Sequence, residues 1–169
     1  NVEKCILREA VVMQMTWPGA PTVYYGDEAG MVGWTDPDNR RSYPWGKQDW
    51  ELIEFHKDMI RIHKKYECFR SGSYKSIASG SHWICYGRFN KKLQAVILIN
   101  NRREMLTVDL PIWQIGIFEN ACLKRVVQTT QSTYNVGEVM ERAEDGILHV
   151  TVGPQTASVY IAAKNVEEN

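Results

Sequence analysis

The sequence has no excess of charge. Its 169 residues carry 20 Lys and Arg against 20 Asp and Glu, a formal net charge of +0. A balanced chain has no long-range field to draw in nucleic acid or an anionic membrane, and no run of Lys and Arg makes a local one. Long hydrophobic runs are missing too. The long uncharged stretch Ala10 to Gly26 is broken by Pro18, Gly19 and Pro21, so it does not read as a membrane helix. No basic, then apolar, then small-residue leader opens the chain. There are only four cysteines, Cys5, Cys68, Cys85 and Cys122, and none forms a C-x-x-C pair. That spacing argues against zinc sites and small disulfide scaffolds, and fits reduced, mostly buried thiols in a cytoplasmic protein. No phosphate-binding glycine loop, nucleotide fingerprint or Ser-His-Asp order occurs. No metal or cofactor is expected.

What is present is the composition of a folded protein. Hydrophobic residues make up 44% and aromatic residues 11%. A chain of this length buries roughly 70% of the surface that its unfolded form exposes, enough for one domain plus an attached piece. It opens on Asn1 rather than Met and reads as a segment of something longer.

The pattern divides near Ser71-Gly72. Before that point the period is helical. Residues Glu3 to Thr16 suit a helix, with Ile6, Ala10 and Met13, and Leu7, Val11 and Met15, at helical spacing. Trp17-Pro18-Gly19 should end it, because the residue before a proline resists the α region. Thr22-Val23-Tyr24-Tyr25 reads as a short buried strand of the parallel type. Asp27 to Lys47 reads as loop, being rich in Gly and Pro. Asp49 can cap a further helix to about Tyr66, with Leu52, Phe55, Met59, Ile62 and Tyr66 on one apolar stripe. On that helix His56 and His63 are seven apart. Metal-binding histidines on helices usually sit three or four apart, so edge-of-stripe packing is the better reading.

After Gly72 the period becomes two. Candidate strands are Tyr74–Ser79, His82–Phe89, Leu93–Asn100, Met105–Leu110, Leu123–Thr129, Gly146–Val152 and Ala157–Ala162. Many short strands with such turn spacing imply an antiparallel sandwich. The sandwich should close near Lys164, leaving 165–169 as a polar tail.

The loop from Asp27 to Lys47 concentrates the chemistry. Asp27 and Glu28, and Asp36 and Asp38, are carboxylate pairs of the kind that glycoside hydrolysis uses at set separations. Turn chemistry explains them more simply, since Asp and Asn bond their own backbone. Ligand contact is the stronger functional reading, because carboxylate and guanidinium groups offer paired acceptors or donors to sugar hydroxyls. Trp34, Tyr43 and Trp45 could stack on a sugar or fill a core, and core is favoured for any single one. The same preference holds for Trp83 and Trp113 further on.

The stretch Gln14-Met15-Thr16-Trp17-Pro18-Gly19-Ala20-Pro21-Thr22-Val23-Tyr24-Tyr25-Gly26-Asp27-Glu28-Ala29-Gly30 resembles the end of the catalytic barrel in the α-amylase family, glycoside hydrolase family 13. Asp36-Pro37-Asp38-Asn39-Arg40-Arg41 and Pro44-Trp45 resemble the neopullulanase, cyclomaltodextrinase and maltogenic-amylase branch. Gly153-Pro154 followed by Ala157-Ser158-Val159-Tyr160 is similar to the closing strand of the family's C-terminal domain.

The resemblance implies an α+β, mostly β fold. Residues 1–71 would be the last helix-strand-helix part of a (β/α)8 barrel, and 72–164 an antiparallel β-sandwich. It implies a C-terminal fragment of a retaining α-glycosidase acting on maltooligosaccharide, cyclodextrin or pullulan, with the rest of the barrel and an α-glucan as partners. The family's three catalytic carboxylates sit at the ends of barrel strands 4, 5 and 7, which this piece would not contain. No catalytic residue is therefore assigned. Asp36 and Arg40 match a pair that contacts glucose hydroxyls. Trp34, Asn39 and Tyr25 stand in the same loop as candidate further substrate contacts, while Tyr25 and Glu28 match positions that hold this loop. Relatives often carry small residues where Gly33-Trp34-Thr35 stands.

A lone barrel strand would expose an unpaired edge. A chain of this kind should dimerise, swap elements or dock its helices on the sandwich. The alternative is a stand-alone carbohydrate-binding β-sandwich that holds starch-like glycans through Trp83 or Trp113.

Overall fold

The computed structural model describes residues 3–163. The expected polar tail at 165–169 lies outside the described residues. Helix α1 spans Lys4–Thr16, and Trp17, in extended conformation before Pro18, ends it. Helix α2 spans Trp50–Lys65. The Asp49 carboxylate caps it, accepting from the Leu52 N–H at 3.2 Å. A one-turn helix α3, Cys68–Ser71, leads into the strands.

Strands β1 (Ser73–Gly80), β2 (Trp83–Phe89), β3 (Leu93–Asn100), β4 (Leu106–Pro111), β5 (Ala121–Thr129), β6 (Tyr134–Ala143), β7 (Ile147–Val152) and β8 (Thr156–Ala163) follow. Six of them form one sheet in the order β1-β2-β3-β8-β5-β6, and β4 and β7 form a second. Every pairing is antiparallel. The expected sandwich is therefore present, and its seven expected strands are found within two residues at each end. Strand β6 was not expected.

The large sheet is covered on both faces. One face carries Tyr86, Ala95, Ile97, Ile99, Val159 and Ile161, which pack with Val12 and Met15 of α1 and Phe55, Met59 and Ile62 of α2. The other carries Cys85, Val96, Leu98, Tyr160 and Ala162, which pack with Leu106 and Leu110 of β4 and Leu148, Val150 and Val152 of β7. Each fully buried side chain of this size contributes about 2 kcal/mol. Strands β3 and β8 lie between two apolar layers, so their buried side chains run almost without interruption, while β7 alternates cleanly with one face outward.

Buried polar groups bind the helices to the sheet. The Arg88 guanidinium, on β2, donates to the Thr16 carbonyl at 2.7 Å and to the Gly72 carbonyl at 3.0 Å. Arg8 of α1 reaches Glu51 at 3.0 Å and the Thr130 carbonyl at 3.1 Å. His63 of α2 contacts the Met15 carbonyl through Nδ1 at 2.7 Å, and buried His56 contacts the Leu52 carbonyl at 2.8 Å. Both histidines thus have packing partners.

One expectation fails. Thr22–Tyr25 carries no strand pairing. A parallel strand is stabilised by neighbours on both edges, and the described residues supply none. The segment instead turns back on α1, where the Gln14 side-chain amide donates to the Thr22 carbonyl at 2.6 Å. Tyr24 and Tyr25 are left largely exposed.

Candidate functional site

The loop between α1 and α2 is irregular, as its glycines and prolines dictate, except for a single 3₁₀ turn at Asp38–Arg40. That turn fixes the polar side chains. Arg40 and Arg41 are consecutive, so their side chains diverge, and each finds its own carboxylate. The Arg40 Nε lies 3.0 Å from Asp36 Oδ1. Arg41 grips Asp38 with both arms, Nε to Oδ1 at 2.7 Å and a terminal nitrogen to Oδ2 at 2.9 Å. The two pairs differ in what else they do. Asp38 also accepts the Trp34 backbone N–H at 3.0 Å, which closes the loop upon itself. The Asp36–Arg40 pair is largely exposed, and among the described residues neither side chain bonds to another part of the loop. Exposed pairs of this kind contribute about 0–1 kcal/mol, so their groups exchange easily for ligand hydroxyls.

Glycine lets the loop close this tightly. A Cβ on Gly33 would lie 2.9 Å from the Asn39 Cα. Behind the loop, the Tyr25 hydroxyl donates to the Arg41 carbonyl at 2.9 Å, and Glu28 accepts the Gly26 N–H at 2.9 Å.

Tyr25, Trp34 and Asn39 line one cavity of about 160 Å³, together with Asp38 and Arg41. Trp34 also borders a second cavity of about 570 Å³ that reaches Leu7 of α1 and Leu52 of α2. Asp36 and Arg40 pair with each other but line neither. The preference for core packing of Trp34 and Trp45 is wrong: they are 81% and 80% exposed. Each stands on a loop that reaches away from the core shared by the helices and the sheet. Tyr43 is half-buried, with its ring 4.6 Å from that of Trp45. The sequence reading missed the lock formed by Asp38 and Arg41. The i, i+3 spacing of opposite charges on a turn was the available signal.

No family model matches the chain. The chain is 39% identical over 82 residues to an amylopullulanase of Thermoanaerobacter thermohydrosulfuricus, a match covering 48% of this chain and 6% of that protein. It is 36% identical over 113 residues to neopullulanase 2 of Thermoactinomyces vulgaris, covering 64% of this chain and 19% of that one. The α-amylase of Geobacillus thermoleovorans superposes on 96% of this chain with a TM-score of 0.80 and 25% identity. The resemblance to the α-amylase family holds. The chain spans less than a fifth of the length of these curated relatives, and matches 34% of the α-amylase chain.

Among the described residues, no group of three or more His, Cys, Asp or Glu side chains could hold a metal ion. Likewise no helix is long and apolar enough to cross a membrane.

Proposed function

We propose that this α-amylase-like chain is the C-terminal portion of a retaining α-glucan hydrolase. Residues 1–71 close its catalytic barrel and 72–164 form its stabilising sandwich. The carboxylates that break the glucosidic bond belong to an upstream portion, and this portion is inactive alone. Its contribution to the reaction is to hold the glucan. Asp36 and Arg40 bind glucose hydroxyls, while Trp34 offers a ring face to the sugar's C–H face, with Asn39 and Tyr25 beside it. The observation that carries the reading is the exposed Asp36–Arg40 pair at 3.0 Å, on a loop that a separate lock already holds. Charged groups with no structural duty are free to serve a ligand.

The test is a chimera in which this chain replaces the matching segment of a cyclomaltodextrinase. The pure chain should leave maltooligosaccharide, pullulan and cyclodextrin intact, while the chimera should hydrolyse them. Asp36→Ala or Arg40→Ala in the chimera should lower kcat/KM by about 10-fold or more. Turnover by the pure chain, or full activity in both variants, would contradict the reading.

A further inference from the structure

A second set of exposed aromatic residues lies at one end of the sandwich. Trp113, in the 3₁₀ turn Ile112–Ile115 after β4, is 48% exposed. Phe118, in the connection to β5, is 70% exposed. Beside them a cleft of about 450 Å³ is lined by Asn120, Cys122, Arg142, Glu144 and Asp145 among others. The aromatic segment and the cleft meet at the β6–β7 turn, although neither ring lines the cleft itself. The Trp113 N–H donates to the Gly146 carbonyl at 3.0 Å, and the Asp145 N–H donates to Asn120 Oδ1 at 3.1 Å. A Cβ on Gly146 would lie 2.8 Å from the Trp113 Cβ and 2.9 Å from the Ile117 carbonyl, so the β6–β7 turn is pressed directly against this segment.

The chemistry narrows the ligand. An aromatic ring takes the C–H face of a pyranose, and amide, guanidinium and carboxylate groups take its hydroxyls in pairs. Both signs of charge line the cleft, which suits an uncharged polyol better than an ion. A cleft of this volume falls in the range of small-molecule sites. We infer that the Trp113–Phe118 surface and the adjoining cleft hold a segment of α-glucan. The choice of α-glucan rests on the functional reading above.

The experiment titrates the 169-residue chain with maltoheptaose and follows tryptophan fluorescence. Binding in the millimolar range is expected, and Trp113→Ala and Phe118→Ala should each weaken it by about 5-fold or more. Cys122 gives a second readout. It is exposed, while Cys5, Cys68 and Cys85 are buried, so alkylation of the native chain reports Cys122. Bound maltoheptaose should slow that alkylation.

Several outcomes overturn the inference. One is Phe118→Ala, shown folded by circular dichroism, with affinity within about 2-fold of the parent. A second is an unchanged rate at Cys122. A third is equal binding of the β-linked cellohexaose. Loss of binding in Trp34→Ala but not in Trp113→Ala would move the glucan to the substrate loop, which sinks this site and leaves the functional reading standing. Absence of any maltoheptaose binding also sinks it, while hydrolysis by the chimera continues to decide the functional reading.

Discussion

The guanidinium of Arg88 donates to the backbone carbonyl of Thr16 at 2.7 Å, 72 residues away in the chain. A second arm reaches the Gly72 carbonyl at 3.0 Å. Arg88 is 2% exposed, and burial lowers its pKa, partly offset by Cys68 and Tyr86. The charge remains buried because it satisfies the last carbonyl of α1 and the start of β1 together.

Removing it should therefore cost more than its charge suggests. Arg88→Met keeps the length but strands the buried Thr16 carbonyl and the half-buried Gly72 carbonyl, a loss of about 2 kcal/mol. Urea denaturation measures it. A change below about 0.5 kcal/mol would show that the two bonds contribute nothing net.

Glu9 of α1 sets a pH dependence. It is 4% exposed, and its Oε1 has no hydrogen-bond partner among the described residues. Burial pushes its pKa up from 4.5 to about 7. Between these values the folded chain retains a proton that the unfolded chain has released. Stability attributable to Glu9 is thus complete below about pH 4.5, falls as pH rises from there through 7 and is level above, a loss on the order of 3 kcal/mol. Glu9→Gln should flatten this slope. Denaturation midpoints at pH 5 and pH 8 report it, and an unchanged slope in Glu9→Gln would assign the dependence elsewhere.

Asp38→Ala separates loop order from global stability. It frees the Trp34 N–H and the Arg41 fork, both near the surface, so the melting temperature should shift by no more than about 3 °C. In the chimera the looser Trp34 should raise KM for maltooligosaccharide by about 3-fold or more, with a smaller effect on kcat. A large loss of stability with an unchanged KM would make Asp38 a purely structural residue.

The sequence showed most clearly the elements whose faces are distinct. Strand β3 was expected at Leu93–Asn100 and lies there, because an apolar run is bounded by Asn90-Lys91-Lys92 and Asn100-Asn101. The stripe of α2 was readable for the same reason. Strand β6 was not. It is an edge strand whose residues 135–140 are all exposed, so it has no alternation of buried and exposed positions to read. Nor could the sequence disclose Arg8 and Arg88 as interior residues, since their partners are backbone carbonyls distant in the chain. Asp36 and Arg40 were singled out by resemblance. Their pairing follows from spacing on a turn, but their exposure became visible only in the structure.

Val12, Phe55, Ile97 and Val159 share a single interior although they come from both sides of Gly72. Trimming the polypeptide to its β-rich half would strip the cover from Ile97 and Val159. The trimmed product would be a self-adhering particle rather than a smaller soluble protein.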